Sequence, residues 1–259
     1  MNIKSIPILC LLLISVKLPF VTKHSTPIPD THDKTAIIEM IKESRTYGIL
    51  CHQSILRRDM SETSGVVTLL PAGALVEVLR DKSEVWYLVR DSHSGKQGWL
   101  HRESLTIAGE QSTEESRMNK HELETFANTM GYTSRTKFLV IVDISRQLTH
   151  VFKGAKNKWA HLTSITVSTG KNESPTIRGE FTLIDRGLWF YSERLGSGGK
   201  FWVRFDGPYL FHSVAMDKSG AIIDDTLGKK SSNGCIRMSV PDAEWFYKNI
   251  PDKTKVIII

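Results

Sequence analysis

A chain of 259 residues has room for one large domain or two small ones, and its 40% hydrophobic and 24% charged content is that of a soluble globular protein rather than a disordered or all-membrane one. The formal net charge of +6 suits an anionic surrounding: nucleic acid, an anionic membrane or an acidic cell wall. No basic block interleaved with aromatics singles out nucleic acid, so a nucleic-acid partner is not expected.

Residues 1–22 set the compartment. Lys4 precedes an apolar run over 6–16, and Lys17 follows it. This charged-then-apolar order marks an export signal or an N-terminal membrane anchor, and the run is short for a full span. The protein is therefore expected outside the cell, in the wall or on the outer face of the cytoplasmic membrane. Cys10 falls in this segment, which leaves Cys51 and Cys235. An extracellular pair invites a disulfide, but two cysteines in separate domains need a specific close approach to join.

Residues 23–43, with Pro27 and Pro29 among polar neighbours, read as an extended linker. From 44 to 107, alternating runs at 75–79, 85–89 and 98–100 are separated by turn residues, and a unit of about 60 residues built this way closes most economically into a small barrel. The pattern Ile55-Leu56-Arg57-Arg58, a turn centred on Gly73, Trp86-Tyr87-x-Val89-Arg90 and Gly98-Trp99-Leu100 resembles the bacterial SH3-like domain. That resemblance implies a module that accompanies cell-wall enzymes and binds wall peptides. The residues alone equally allow Trp86, Tyr87 and Trp99 to be core or rim aromatics of a spacer.

In the 108–136 linker, Ser112 with Glu115 predicts a capping box and Leu123, Phe126, Ala127 and Met130 share one face, so a helix over 112–130 ends at Gly131. From 137 to 259 strands dominate: 138–144, 148–152, 162–167, 181–184, 188–191, 201–205, 209–214 and 256–259. One further helix starts at Ser239 with Pro241 in its first turn, and Ala243, Phe246, Tyr247 and Ile250 form its stripe. The fold class is mainly β with few helices: a small barrel followed by a larger β-sandwich or barrel.

Ser231-Ser232-Asn233-Gly234-Cys235-Ile236-Arg237-Met238 carries the chemistry, together with Phe211-His212-Ser213. A free thiol is only a few per cent thiolate at pH 7, so Cys235 needs a partner, and His212 is the candidate. Gly234 lets the backbone turn sharply, so that amides near Cys235 can face a developing oxyanion. Other chemistries lack support: His150, His161 and His212 have no metal-ligand spacing, no Cys-x-x-Cys pair exists, and no Gly-x-Ser-x-Gly elbow is present.

The segment 137–259 resembles the YkuD-type L,D-transpeptidase catalytic domain. The resemblance rests on 138–146 as its opening hairpin, on Ser168-Thr169-Gly170 followed by Pro175-Thr176-x-x-Gly179-x-Phe181, on His212-Ser213, and on Ser232-x-Gly234-Cys235-Ile236-Arg237. Asn233 departs from the family, which carries a second histidine before the Gly-Cys pair. The resemblance implies that Cys235 attacks the third residue of a peptidoglycan tetrapeptide stem, that His212 is the general base and acid, and that Ser213 orients His212 through its carbonyl. It further implies that D-alanine leaves and that a second stem's amine resolves the thioester into a 3→3 cross-link, without a cofactor. Gly234 and Asn233 belong to the oxyanion loop. Arg237 anchors a substrate carboxylate or fixes the cysteine loop; Ser232, Trp202 and Tyr209 are placed at the substrate groove, the aromatics having an equal reading as core. The stretch 196–199 is a lid segment or a hairpin turn. The same site used hydrolytically would make an L,D-carboxypeptidase, and decay at Asn233 would leave a non-catalytic wall-binding protein.

Overall fold

The computed structural model describes Ala36, Glu39 and residues 41–259. The signal or anchor expected at 1–22, and most of the 23–43 linker, lie outside the described residues. Among the described residues no helix is long and apolar enough to cross a membrane.

The N-terminal unit consists of β1 (Thr46–Leu50), β2 (Ser54–Arg57), β3 (Val66–Leu70), β4 (Leu75–Lys82), β5 (Trp86–Asp91), β6 (Gln97–His101) and β7 (Leu105–Ile107). They form one seven-stranded sheet in the order β3-β2-β6-β5-β4-β1-β7. Alternation of side chains decides which residues turn inward. Along β5, Tyr87 and Val89 join Leu50, Leu56, Val76, Val78 and Leu100 in a small core, while Trp86 and Trp99 stay half-exposed.

The C-terminal unit adds β8 (Phe138–Asp143), β9 (Leu148–Lys153), β10 (Ala160–Thr166), β11 (Gly179–Thr182), β12 (Arg186–Ser192), β13 (Ser197–Asp206), β14 (Tyr209–Ser213), β15 (Ala215–Met216), β16 (Ile222–Asp224), β17 (Ile236–Met238) and β18 (Lys255–Ile258). A five-stranded sheet runs β10-β9-β8-β18-β11, and a six-stranded one runs β16-β15-β13-β14-β17 with β12 paired to β13. Between them lies the main core, which takes Val140, Val142 and Val256 from the first sheet and Val203, Phe205, Phe211, Ile236 and Met238 from the second. The first sheet's other face is covered by Leu123, Phe126 and Ala127 of α1 (Lys120–Thr129) packing on Leu139, Ile141 and Phe152. Burial on both faces is why β8 reads as an unbroken apolar run. The chain is thus mainly β, a sandwich of sheets with few helices.

α1 begins eight residues later than the Ser112 signal predicts. Residues 110–119 are instead held extended along the C-terminal unit: Thr113 Oγ1 donates to Gly228 O (2.8 Å), Glu114 N to Ser145 O (2.8 Å) and Arg146 Nε to Ser116 O (2.9 Å). The working cap is Asn119, whose side chain accepts from Glu122 N (3.0 Å) while Glu122 Oε2 accepts from Asn119 N (2.7 Å). α2 (Val240–Asn249) starts as expected, Ser239 accepting from Asp242 N.

Asn119→Ala should lower stability by about 1 kcal/mol, whereas Ser112→Ala should stay within about 0.5 kcal/mol of the parent. Urea midpoints of the two variants check this, and equal effects would contradict the cap assignment.

Candidate active site

The site is assembled by one strand pairing. β14 and β17 run parallel, with Phe211 opposite Ile236, His212 opposite Arg237 and Ser213 opposite Met238. Register partners in a parallel pair share a face, and so do residues two apart along a strand. Cys235 immediately precedes β17, so it sits at the end of the strand pair that carries His212. The opposite side carries Phe211, Ile236 and Met238 into the core.

His212 is buried and fitted by packing. The Phe190 ring stands edge-on with its centroid 4.9 Å away, and a Cβ on Gly199 would fall 2.6 Å from Nδ1. Gly199 belongs to β13 and Gly196 to the turn before it, so the glycine-rich stretch is a hairpin whose flat backbone makes room for the imidazole. Burial, and after it the Arg237 guanidinium, push the ring's pKa down to about 3, with the Ser213 backbone acting the other way. Nδ1 has no hydrogen-bond partner of good geometry. Phe190 and Gly199 pack against the ring, and the Ser213 backbone hydrogen-bonds it. Ser213 Oγ accepts from Lys200 N (2.9 Å) and donates to Val214 O (3.0 Å), which ties β13 to β14.

Cys235 is half-buried and unbridged; Cys51 is also free, its Sγ 3.2 Å from Thr106 Oγ1 on the N-terminal unit. The Cys235 thiol rests 3.8 Å from Pro208 O, and no hydrogen bond joins it to His212 among the described residues. Burial raises its pKa above the ordinary 9.0, partly offset by the Leu210 backbone and by Arg237. Thiol and imidazole are both neutral at rest.

The cysteine loop is laced internally. Gly234 has φ +100°, and a Cβ there would lie 2.6 Å from Tyr209 Cε1, so both backbone angle and space require glycine. Its N–H donates to Ser232 Oγ (3.2 Å), and Ser232 Oγ donates to Cys235 O (2.6 Å). Thr176 Oγ1 accepts from Gly170 N (2.8 Å) and donates to Gly234 O (2.9 Å). The Gly234 amide is thereby used up, whereas the Cys235 N–H takes part in no hydrogen bond among the described residues. The Ser168-Thr169-Gly170 stretch anchors the loop's far end: Ser168 N donates to Arg237 O (2.9 Å) and Arg237 N to Ser168 O (2.8 Å). Gln147, in the β8–β9 turn, grips that stretch by accepting from Thr169 N (2.8 Å) and donating to Thr169 Oγ1 (2.8 Å).

The remaining expected residues divide. The Arg237 guanidinium is buried and donates to Asp224 Oδ2 (2.6 Å), so it is engaged by the protein's own carboxylate. Ser232 and Tyr209 are buried within and beneath the loop. Trp202 is half-buried on β13, with Nε1 donating to Trp189 O (3.1 Å) and Arg204 lying 5.2 Å over its ring. Asn233 stays partly exposed at the loop's tip. Asp224, Pro208, Phe190 and Gly199 were not foreseen as site residues. Only the Gly-Ser-Gly-Gly run carried a local signal.

Comparison with known proteins decides the family. The profile described as the YkuD L,D-transpeptidase catalytic domain matches residues 137–258. Residues 137–258 belong to the YkuD family. A Bacillus subtilis protein named for L,D-transpeptidase activity, YciB, is 37% identical over 123 residues, which are 45% of this chain and 63% of that protein; the chain thus spans less than two thirds of its relative. Among solved structures, a fused Zn-dependent amidase/peptidase/peptidoglycan-binding domain-containing protein from Clostridium acetobutylicum is 31% identical at a TM-score of 0.47, covering 54% of this chain and 59% of that one. An L,D-transpeptidase from Mycobacterium smegmatis is 15% identical at a TM-score of 0.39, covering 69% and 68%.

In a Cys51→Ser background, iodoacetamide labelling of Cys235 should keep rising as pH passes 9; a plateau reached below pH 9, read by intact mass, would contradict a buried neutral thiol. His212 and His150 are held below 6.5 by burial, at about 3 and about 4, so the unfolded chain takes up their protons first. Stability from these groups is complete above pH 6.5 and declines as pH falls through 6.5 towards those values. Urea midpoints taken from pH 7 down to pH 4.5 should drop accordingly.

Proposed function

We propose that the protein is an exported peptidoglycan L,D-transpeptidase that works through a Cys235 thioester. The observation that supports this reading is the parallel pairing of β14, which carries His212, with β17, which begins directly after Cys235, inside a YkuD domain. His212, neutral at rest, takes the thiol proton as sulfur attacks the carbonyl of the third stem residue. The Cys235 N–H is the amide left to meet the oxyanion; losing one such donor typically costs about 3 kcal/mol. The imidazolium then passes its proton to the departing D-alanine amine. A second stem's side-chain amine attacks the thioester, neutral His212 takes the amine's proton, and the thiol is regenerated with a 3→3 cross-link formed. The charge of +6 and the SH3-like reading of the N-terminal unit agree with work at an acidic wall outside the membrane.

Incubating the protein with tetrapeptide muropeptides should yield dimers and free D-alanine by mass spectrometry. Cys235→Ala should abolish both, and His212→Ala should slow them roughly 10²–10⁴-fold. D-alanine without dimers at saturating acceptor would make the enzyme a carboxypeptidase, and no D-alanine at all would leave a wall-binding protein.

A further inference from the structure

The N-terminal unit grips the stretch 172–178 residue by residue. Thr46 Oγ1 donates to Asn172 Oδ1 (3.2 Å), and Asn172 Nδ2 donates to the carbonyls of Ala108 (2.9 Å) and Gly109 (3.0 Å). Tyr87, buried in the N-terminal core, donates its hydroxyl to Glu173 O (2.7 Å). Ser174 Oγ donates to Asp81 Oδ2 (2.9 Å), and Arg178 pairs with Glu43 (2.9 Å) and with buried Glu77. The other side of the same stretch meets the cysteine loop. Thr176 holds Gly234 O, and Pro175 O lies 3.5 Å from where a Gly234 Cβ would be. Tyr209 forms a second link, its ring against Gly234 and its hydroxyl 3.5 Å from Asp81 O.

We propose that Asp81 and Tyr87 are positioning residues for the thiol: the N-terminal unit fixes 172–178, and that stretch fixes Gly234 and with it Cys235 and its free amide. This rests on Cys235 being the nucleophile, and it adds that the preceding unit is part of the acyl-transfer machinery besides any role in wall attachment. Tyr87→Phe deletes one hydroxyl and keeps the shape of the core. Asp81→Ala deletes the acceptor for Ser174, while Asp81→Asn retains an oxygen to accept it.

The test uses the full chain carrying Cys51→Ser, with dimer formation from tetrapeptide muropeptides and iodoacetamide labelling of Cys235 as separate readouts. Tyr87→Phe and Asp81→Ala should lower kcat roughly ten- to a hundredfold with KM nearly constant, since a misplacement of about 1 Å has costs of that order. Both should speed labelling several-fold, because a loosened loop lets water and reagent reach the sulfur. Asp81→Asn should restore both readouts towards the parent, and Lys96→Ala, on the far β5–β6 turn, should change neither. Asp81→Ala combined with Ser174→Ala should be no worse than either alone, as for two partners of one bond. Unchanged kcat and labelling in Tyr87→Phe and Asp81→Ala, or additive losses in the double variant, would overturn the proposal. Labelling that responds in a protein forming no dimer and releasing no D-alanine would instead overturn the enzymatic reading and leave the positioning role standing.

Discussion

The pairing of β14 with β17 is the constraint on which the site depends. Because the two strands run parallel in a fixed register, the sheet sets His212 beside Arg237 and holds Cys235 at the end of β17. A slip of one residue would turn Cys235 into the core, where Ile236 and Met238 now sit. Several unrelated contacts therefore defend the register. Ser168 exchanges two backbone hydrogen bonds with Arg237, Asp224 holds its guanidinium, and Gln147 holds Thr169 beside them.

Burial gives the pair its resting state. An ion pair of thiolate and imidazolium would need both charges stabilised, yet desolvation moves the thiol up and the imidazole down. Desolvation therefore leaves both groups favouring their neutral forms. A neutral thiol is slow to oxidise, since thiolate is the reactive form. It also makes placement decisive, which is why so many hydrogen bonds converge on a loop of four residues.

Regular elements were legible in the sequence because their signals are local. Ser239, Pro241 and the Phe246 stripe specify α2 without reference to the rest of the chain, and the run in β8 specifies a strand. Cys235, His212 and the Gly234 turn stood out through the order of motifs. The true cap of α1 was not: Ser112-x-x-Glu115 has the right letters, but 110–119 is claimed by bonds to Ser145, Arg146 and Gly228, and only tertiary structure reveals them. The same holds for Asp224 and Gly199, whose roles arise from what faces them across a sheet. Ser232 and Tyr209 take structural places in this tight loop, Ser232 bridging Gly234 N and Cys235 O and Tyr209 packing against Gly234, which their residue types alone do not reveal.

The position of β18 has a kinetic consequence. It lies between β8 and β11, pairing with β8 at Lys255 opposite Leu139 and with β11 at Val256 opposite Phe181, so the sheet stays split until sequence-distant segments meet. Topologies dominated by such distant pairings mature slowly. The stretch which that late pairing closes, between Leu139 and Lys255, holds both His212 and Cys235. Until β18 docks, that stretch lacks the completed sheet against which its core packs.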